Sequence, residues 1–245
     1  MSFGAIADDY DRLRPRPLAG AVDWLLPDDC RVAVDVGAGT GLLSRALADR
    51  VPQVIAVEPD PRMRAVLGTR TPGVRVLAGT GEAIPLPDAS VDGVFVSSAW
   101  HWLDPDRAVP EIARVLRDGG RLGVLWTSRD RESGWLRDLD RARAVSDAGP
   151  GARPGGHEVE LPEGAPFTRI EARSFAFSRA MTIDDIVDMY ATTSRLITAS
   201  PQDRAAELAR VRAGLQDRFR DAAQIDVPMR SRCWRADRVR RITGR

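Results

Sequence analysis

The chain has 245 residues, 43% of them hydrophobic and 29% charged, with a formal net charge of +1. Such a balance is ordinary for a globular protein and supplies no global field to draw in nucleic acid or an anionic membrane. Two cysteines are too few for a disulfide scaffold or a cysteine zinc site, and the absence of lysine excludes a Walker A loop and a pyridoxal Schiff base.

At the N-terminus, Asp8, Asp9 and Asp11 stand close behind Met1, without the basic-then-apolar order of a signal peptide, so the expected location is cytoplasmic. Phe3, Ile6, Tyr10 and Leu13 recur at helical spacing, which puts Tyr10 and Arg14 on one face. Pro15 and Pro17 end that helix, and a second is expected from Leu18 to Leu26, stopped by Pro27.

From Arg31 onward strands and helices alternate. Strands are expected at Val32–Val36, Val54–Val57, Val74–Leu77, Val91–Ser97 and Gly120–Trp126, with helices at Leu42–Arg50, Pro61–Gly68 and Pro105–Arg117. Gly119-Gly120 is expected to close the last helix, inside which Pro110 implies a kink or a later start. Repeated βα units of this length predict an α/β fold, a parallel sheet with helices on both faces. Beyond Trp126 a helix is expected over Trp135–Val145, a surface loop over Gly149–Pro166 carrying His157, and a strand over Phe167–Phe177. Thr182 would cap a helix over Ile183–Tyr190, Pro201 opens one near Asp203–Phe219, and the last strand is Ile225–Trp234.

Four stretches carry candidate chemistry. The valine-rich first strand stops at Gly37-Ala38-Gly39-Thr40-Gly41, where glycines permit a tight turn and close approach of a ligand to the backbone. A dinucleotide fingerprint would space its glycines G-x-G-x-x-G; here the third arrives one position early, and Asp35 precedes the first by two residues. Both departures disfavour a pyrophosphate. Glu58 ends the second strand, where a carboxylate can accept hydrogen bonds from both ribose hydroxyls; the alternative is a solvated cap on the helix that begins near Pro61. Gly79 to Pro87, after the third strand, lies where a purine on that ribose would reach, with Gly81, Glu82 and Ala83 at its edge and Met63 against its face, unless the prolines merely fix the loop's path. Ser97-Ser98-Ala99-Trp100-His101-Trp102 leaves the fourth strand, and its tryptophans would floor a substrate pocket or serve as core. His101 is the candidate general base; it would equally hydrogen-bond an acceptor or pack between Trp100 and Trp102. Trp126, Arg129, Tyr190 and Arg195 complete the expected acceptor pocket.

Asp35-x-Gly37-x-Gly39-x-Gly41, Glu58, the run from Gly79 to Asp92 and Arg114 to Gly120 together resemble the class I S-adenosylmethionine-dependent methyltransferases. Tyr10 to Pro15, Trp100-His101-Trp102 and Pro228 to Arg235 are similar to the trans-aconitate methyltransferase-like branch, close to the ubiquinone and menaquinone biosynthesis enzymes. The resemblance implies a Rossmann-like sheet of seven strands, the last antiparallel, in one domain over 1–245. Within it, 1–30 would form a helical lid, 31–130 the cofactor-binding core and 180–222 a helical insertion that caps the substrate. It further implies S-adenosylmethionine as cofactor, leaving as S-adenosylhomocysteine, held by Tyr10, Arg14, Asp35, Gly37, Ala38, Gly39, Gly41, Glu58, Pro59, Met63, Gly81, Glu82, Ala83, Ser97 and Ser98. Tyr10 and Arg14 would approach the methionine carboxylate. The expected reaction is methylation at O, N or C of a small molecule by a monomer or homodimer, with no metal, nucleic acid or membrane partner. The alternatives are a nicotinamide-dependent oxidoreductase on a related sheet and a methyltransferase-like module that binds without catalysing.

Overall fold

A computed structural model of the chain describes residues 14–142, 159–193, 196 and 198–240. The expected first helix, with Tyr10, lies outside the described residues, as do Arg195 and His157. The described elements run α1 (Ala19–Leu25), β1 (Val32–Val36), α2 (Leu42–Ala48), β2 (Gln53–Val57), α3 (Pro61–Arg70), β3 (Arg75–Leu77), β4 (Val91–Ser97), α4 (Pro105–Val115), β5 (Leu116–Arg129), α5 (Gly134–Ala142), β6 (Phe167–Met181), α6 (Ile183–Ala191), α7 (Pro201–Arg218) and β7 (Ile225–Arg238). Among these residues the strands form one sheet of seven in the order β3-β2-β1-β4-β5-β7-β6, mostly parallel, with β7 antiparallel. The order reverses between β1 and β4, the switch point at whose carboxyl edge open α/β sheets bind ligands.

The valine-rich sequence builds the middle of this sheet because both of its faces are covered. Val34, Val36, Ile55, Val57, Val94, Val96 and Val124 turn to one face, where Val109 and Ile112 of α4 pack. Ala33, Val54, Phe95 and Leu125 turn to the other, under Val22 and Leu25 of α1 and Leu43 and Leu47 of α2. Adjacent residues therefore serve opposite cores, which is the period of two that a strand imposes.

The chain condenses into two compact units. Among the described residues, one comprises 16–127, 159–175 and 231–240 and contains the alternating βα elements. The other comprises 14–15, 128–142, 176–193, 196 and 198–230. Its core is Leu136, Met181, Ile186, Tyr190, Val211, Leu215, Ile225 and Met229. The inserted helices start as their sequence implies. Thr182 and Asp185 form a reciprocal capping box on α6, and Ser200 caps α7 ahead of Pro201.

Several boundaries differ from the sequence reading. Gly119-Gly120 does not close a helix: α4 ends at Val115 and β5 begins at Leu116. Opposite β4 the register jumps from Val91↔Leu116 to Gly93↔Arg121, so the glycines lie in a bulge, with Gly119 at φ +79°. α4 does begin at Pro105 and runs through Pro110, which sits on its exposed side. Water there can bind the carbonyl that proline leaves without an N–H partner. β5, β6 and β7 all run longer than expected. Ser231 and Thr127 hydroxyls meet at 2.9 Å between β7 and β5, and Arg121 of β5 pairs with Asp237 of β7 at 2.7 Å, so polar side chains hold the extensions together.

Phe95 is wholly buried and lies against two residues without side chains. A Cβ at Gly93 would sit 2.6 Å from its ring, and one at Gly123 2.7 Å. Overpacking of a filled core costs about 1–3 kcal/mol, so Gly123→Ala is expected to lower the thermal unfolding midpoint by roughly 2–4 °C per kcal/mol lost. An unchanged midpoint would mean that the ring has room to move.

Candidate active site

The glycine loop is held at both ends by backbone bonds. Leaving β1, Gly37 and Ala38 donate their N–H groups to the Val57 carbonyl at 2.9 and 3.2 Å, tying the loop to the end of β2. Gly37, Gly39 and Gly41 all have positive φ, at 66°, 57° and 88°, a region that excludes most other residues. Their missing side chains mean different things. A Cβ at Gly37 would meet the Ala99 methyl at 2.7 Å, and one at Gly41 would meet Thr71 at 2.8 Å, so both allow protein to pack against them. A Cβ at Gly39 would meet nothing within 4 Å. The apex of the loop alone opens onto free space.

Glu58 faces that apex. Its carboxylate accepts the Gly39 N–H at 2.8 Å through Oε2 and the Asp60 N–H at 2.9 Å through Oε1. The side chain is buried, and burial raises its pKa above the usual range against the pull of the two backbone bonds. The helix-cap alternative belongs to Asp60, which accepts from Arg62 and Met63 at the start of α3. Each Glu58 oxygen keeps a further lone pair for another donor.

Asp35 lies behind the loop, with none of its surface exposed. Its Oδ2 accepts from the Ser44 hydroxyl at 2.6 Å, while Oδ1 has no hydrogen-bond partner among the described residues. Burial pushes this carboxyl up to about 7, opposed by the Ser44 bond and reinforced by the charge of Glu58. An enclosed acceptor left open beside a loop of this shape fits a ligand that brings a cationic donor.

The loop after β3 is compact. A Cβ at Gly79 would meet Pro85 at 2.8 Å, one at Gly81 would meet Leu103 at 2.8 Å, and Thr80 bridges Ala83. Glu82 accepts the Asp104 N–H at 2.9 Å; burial works to raise its carboxyl, but this and further hydrogen bonds outweigh it and hold the group below its usual value. Met63 is buried in α3, Pro59 is exposed, and Ala38 packs with Ala56 and Leu67. At the end of β4, Ser97 and Ser98 are half-buried, and Ser98 holds φ 54° while donating its N–H to the Leu125 carbonyl at 2.8 Å.

The aromatic candidates separate. Trp100 is 4% exposed and joins the core beside Val96, as does Trp126, the core alternative offered for Trp100. Trp102 is 45% exposed, with the half-buried His101 ring 5.1 Å away. In the other unit, Tyr190 is wholly buried and the Arg129 guanidinium stacks 3.6 Å above its ring. Tyr190 falls on the inward face of α6 with Ile186 and Val187, and the stacked guanidinium gains from the ring's π face. Arg14, expected at a cofactor carboxylate, donates to the Thr192 carbonyl at 3.1 Å, at the end of α6.

Residues 34–124 match the profile of the methyltransferase domain family. An uncharacterized methyltransferase of Mycobacterium tuberculosis is 44% identical over 212 residues, 86% of this chain and 84% of that one. The chain belongs to the class I S-adenosylmethionine-dependent methyltransferases. A methyltransferase-like protein of Schizosaccharomyces pombe is 33% identical over 76% of this chain and 74% of its own. Among solved structures, a proposed type II methyltransferase of Anaeromyxobacter dehalogenans aligns with a TM-score of 0.74 at 25% identity, covering 93% of this chain and 99% of that one.

In this methyltransferase two site features had no local signal in sequence. Ser44, the partner of Asp35, reads as an ordinary polar position of α2. Glu111 and Arg114 of α4 bond to residues 84–88, some thirty positions away.

The Asp35 carboxyl carries a stability signature. Its folded pKa of about 7 lies above the ordinary value of 3.8, so the folded state binds the extra proton. Its stabilising contribution is complete below the lower value and is lost as pH rises through the upper one. The unfolding free energy of the wild type, measured relative to Asp35→Asn, is thus expected to fall between those two values and then level off. A flat difference would place the charge elsewhere.

Proposed function

We propose that the chain transfers a methyl group from S-adenosylmethionine to a small-molecule acceptor, with the cofactor against the loop Gly37–Gly41. The observation that carries this reading is the carboxylate of Glu58 at the end of β2, bonded to the N–H of Gly39 at the one open position of that loop. The donor set fits the group. Glu58 would accept the ribose hydroxyls, and the loop backbone would lie along the sugar and the amino-acid arm. The open oxygen of Asp35 would receive the ammonium, and Gly81, Glu82 and Ala83 would border the base. When bound, the cofactor supplies an electrophilic methyl on sulfur, open to in-line displacement by an acceptor lone pair.

The rest of the work is positional, and orientation supplies much of the acceleration in such reactions. Gly37 packed against Ala99 fixes the distance between the turn after β1 and the turn after β4. Ser98 holds a left-handed backbone there, a conformation that persists in a non-glycine residue when the surroundings impose it. His101 and the exposed face of Trp102 are the groups offered to an acceptor: one nitrogen heterocycle for a hydrogen bond or a proton, and one flat apolar surface.

Calorimetric titration with S-adenosylhomocysteine and with NADH tests the reading: binding of the first and not the second is expected. Glu58→Ala should weaken that binding by about 1.5–3 kcal/mol, the worth of hydrogen bonds to a charged acceptor. Unchanged affinity would remove Glu58 from the site. A mass-spectrometric screen for products heavier by one methyl group then names the acceptor.

A further inference from the structure

The loop from Thr80 to Ser90 alternates in burial at its centre. Ile84 and Leu86 are buried in the core, while Pro85 and Pro87 between them are exposed, the alternation of a half-buried strand. The two prolines carry no N–H, and among the described residues this stretch belongs to no strand; the Leu86 N–H bonds to the Ile84 carbonyl at 2.7 Å, and the other backbone groups need partners from elsewhere.

Helix α4 supplies them. Glu111 accepts the Ile84 N–H at 2.8 Å, and Arg114 donates to the Ile84 carbonyl at 3.0 Å, so one ion pair satisfies both backbone groups of one residue. The same guanidinium donates to the Leu86 carbonyl at 2.8 Å and to the Asp88 carboxylate at 2.7 Å. It is locked to Glu111 by two further bonds of 2.8 Å. The last carbonyls of the helix join in, that of Arg114 accepting from Ala89 and that of Val115 from Ser90, each at 2.9 Å. The Asp88 contact is largely exposed and adds little; the strength lies in the carbonyl bonds, which are less solvated. Only a planar fork with several fixed donors can reach two carbonyls and a carboxylate at once.

We infer that Arg114, set by Glu111, is a positioning residue for recognition of the cofactor's base, acting through Ile84 and Leu86 on the adjoining Gly81, Glu82 and Ala83. This rests on the cofactor reading given above. The clamp begins at the residue after Ala83, so the backbone groups offered to the adenine edge inherit their direction from α4. A loop freed at Ile84 keeps its glycines but loses that direction, and with it discrimination between bases.

The test measures a ratio of affinities. S-adenosylhomocysteine and S-inosylhomocysteine, which differ only at the purine edge, are titrated calorimetrically into the wild type, Arg114→Met, Arg114→Lys and Glu111→Gln, with each variant's folding checked by thermal melting. The wild type is expected to prefer the adenine compound. Arg114→Met should lose about tenfold in affinity for it, the scale of a lost charged hydrogen bond, and bind the inosine compound unchanged, so that the preference narrows. Arg114→Lys should fall between the two, since one ammonium cannot reach both carbonyls. Should Arg114→Met fail to fold, the ratio is read from Arg114→Lys and Glu111→Gln.

A wild-type ratio in the folded variants, even with both affinities lowered, overturns the inference, because a merely structural role weakens both ligands alike. Binding of S-adenosylhomocysteine without preference in the wild type overturns the base assignment and leaves the cofactor reading standing. No binding to the wild type brings down both.

Discussion

The hydrogen bond from the Gly39 N–H to Glu58 is the contact on which the site depends. It joins the apex of the turn after β1 to the end of β2, beyond the backbone bonds from Gly37 and Ala38 to the Val57 carbonyl. A carboxylate in a largely buried position would be costly without donors. Here two backbone N–H groups offset the loss of water, and the same two bonds fix both the loop and the carboxylate's orientation. The side chain is therefore structural and functional at once. Its accepting lone pairs are already aimed when a ligand arrives, so less ordering is needed on binding.

The strands of the βα region were legible because both faces of the sheet are covered, which leaves near-continuous runs such as Val32-Ala33-Val34 bounded by charge and glycine. The glycine loop and Glu58 were legible for the same reason, since a buried strand that ends in glycine or a carboxylate stands out. Other features were not. Gly119-Gly120 has the composition of a helix terminus, and only the register of β4 against β5 reveals a bulge. Trp100, Trp126 and Tyr190 carry no mark that distinguishes an aromatic lining a cavity from one inside a core; that depends on which elements cover them. The partnership of Arg114 with Ile84 and Leu86 is set by tertiary structure alone, across a separation at which no periodicity operates.

Each compact unit holds its buried charge with partners from the protein. In the βα unit the buried carboxylates Asp35 and Glu58 lie close to the glycine loop, and each is held by donors from the protein. In the other, the buried groups form ion pairs and stacks: Arg230 on Asp130 at 2.6 Å, and Arg129 on the face of Tyr190. A chain without lysine builds such contacts readily, because guanidinium tolerates stacking and partial burial better than ammonium does.

Phe95 between Gly93 and Gly123 has a consequence for descent within the family. The three positions share one volume, so they are expected to change together and not singly. A relative that carries alanine at either glycine position is expected to hold a smaller residue at 95, and one that keeps the phenylalanine to keep both glycines. Selection at that spot acts on a sum of side-chain sizes, and the glycines there record the history of a neighbour and not a demand of the backbone.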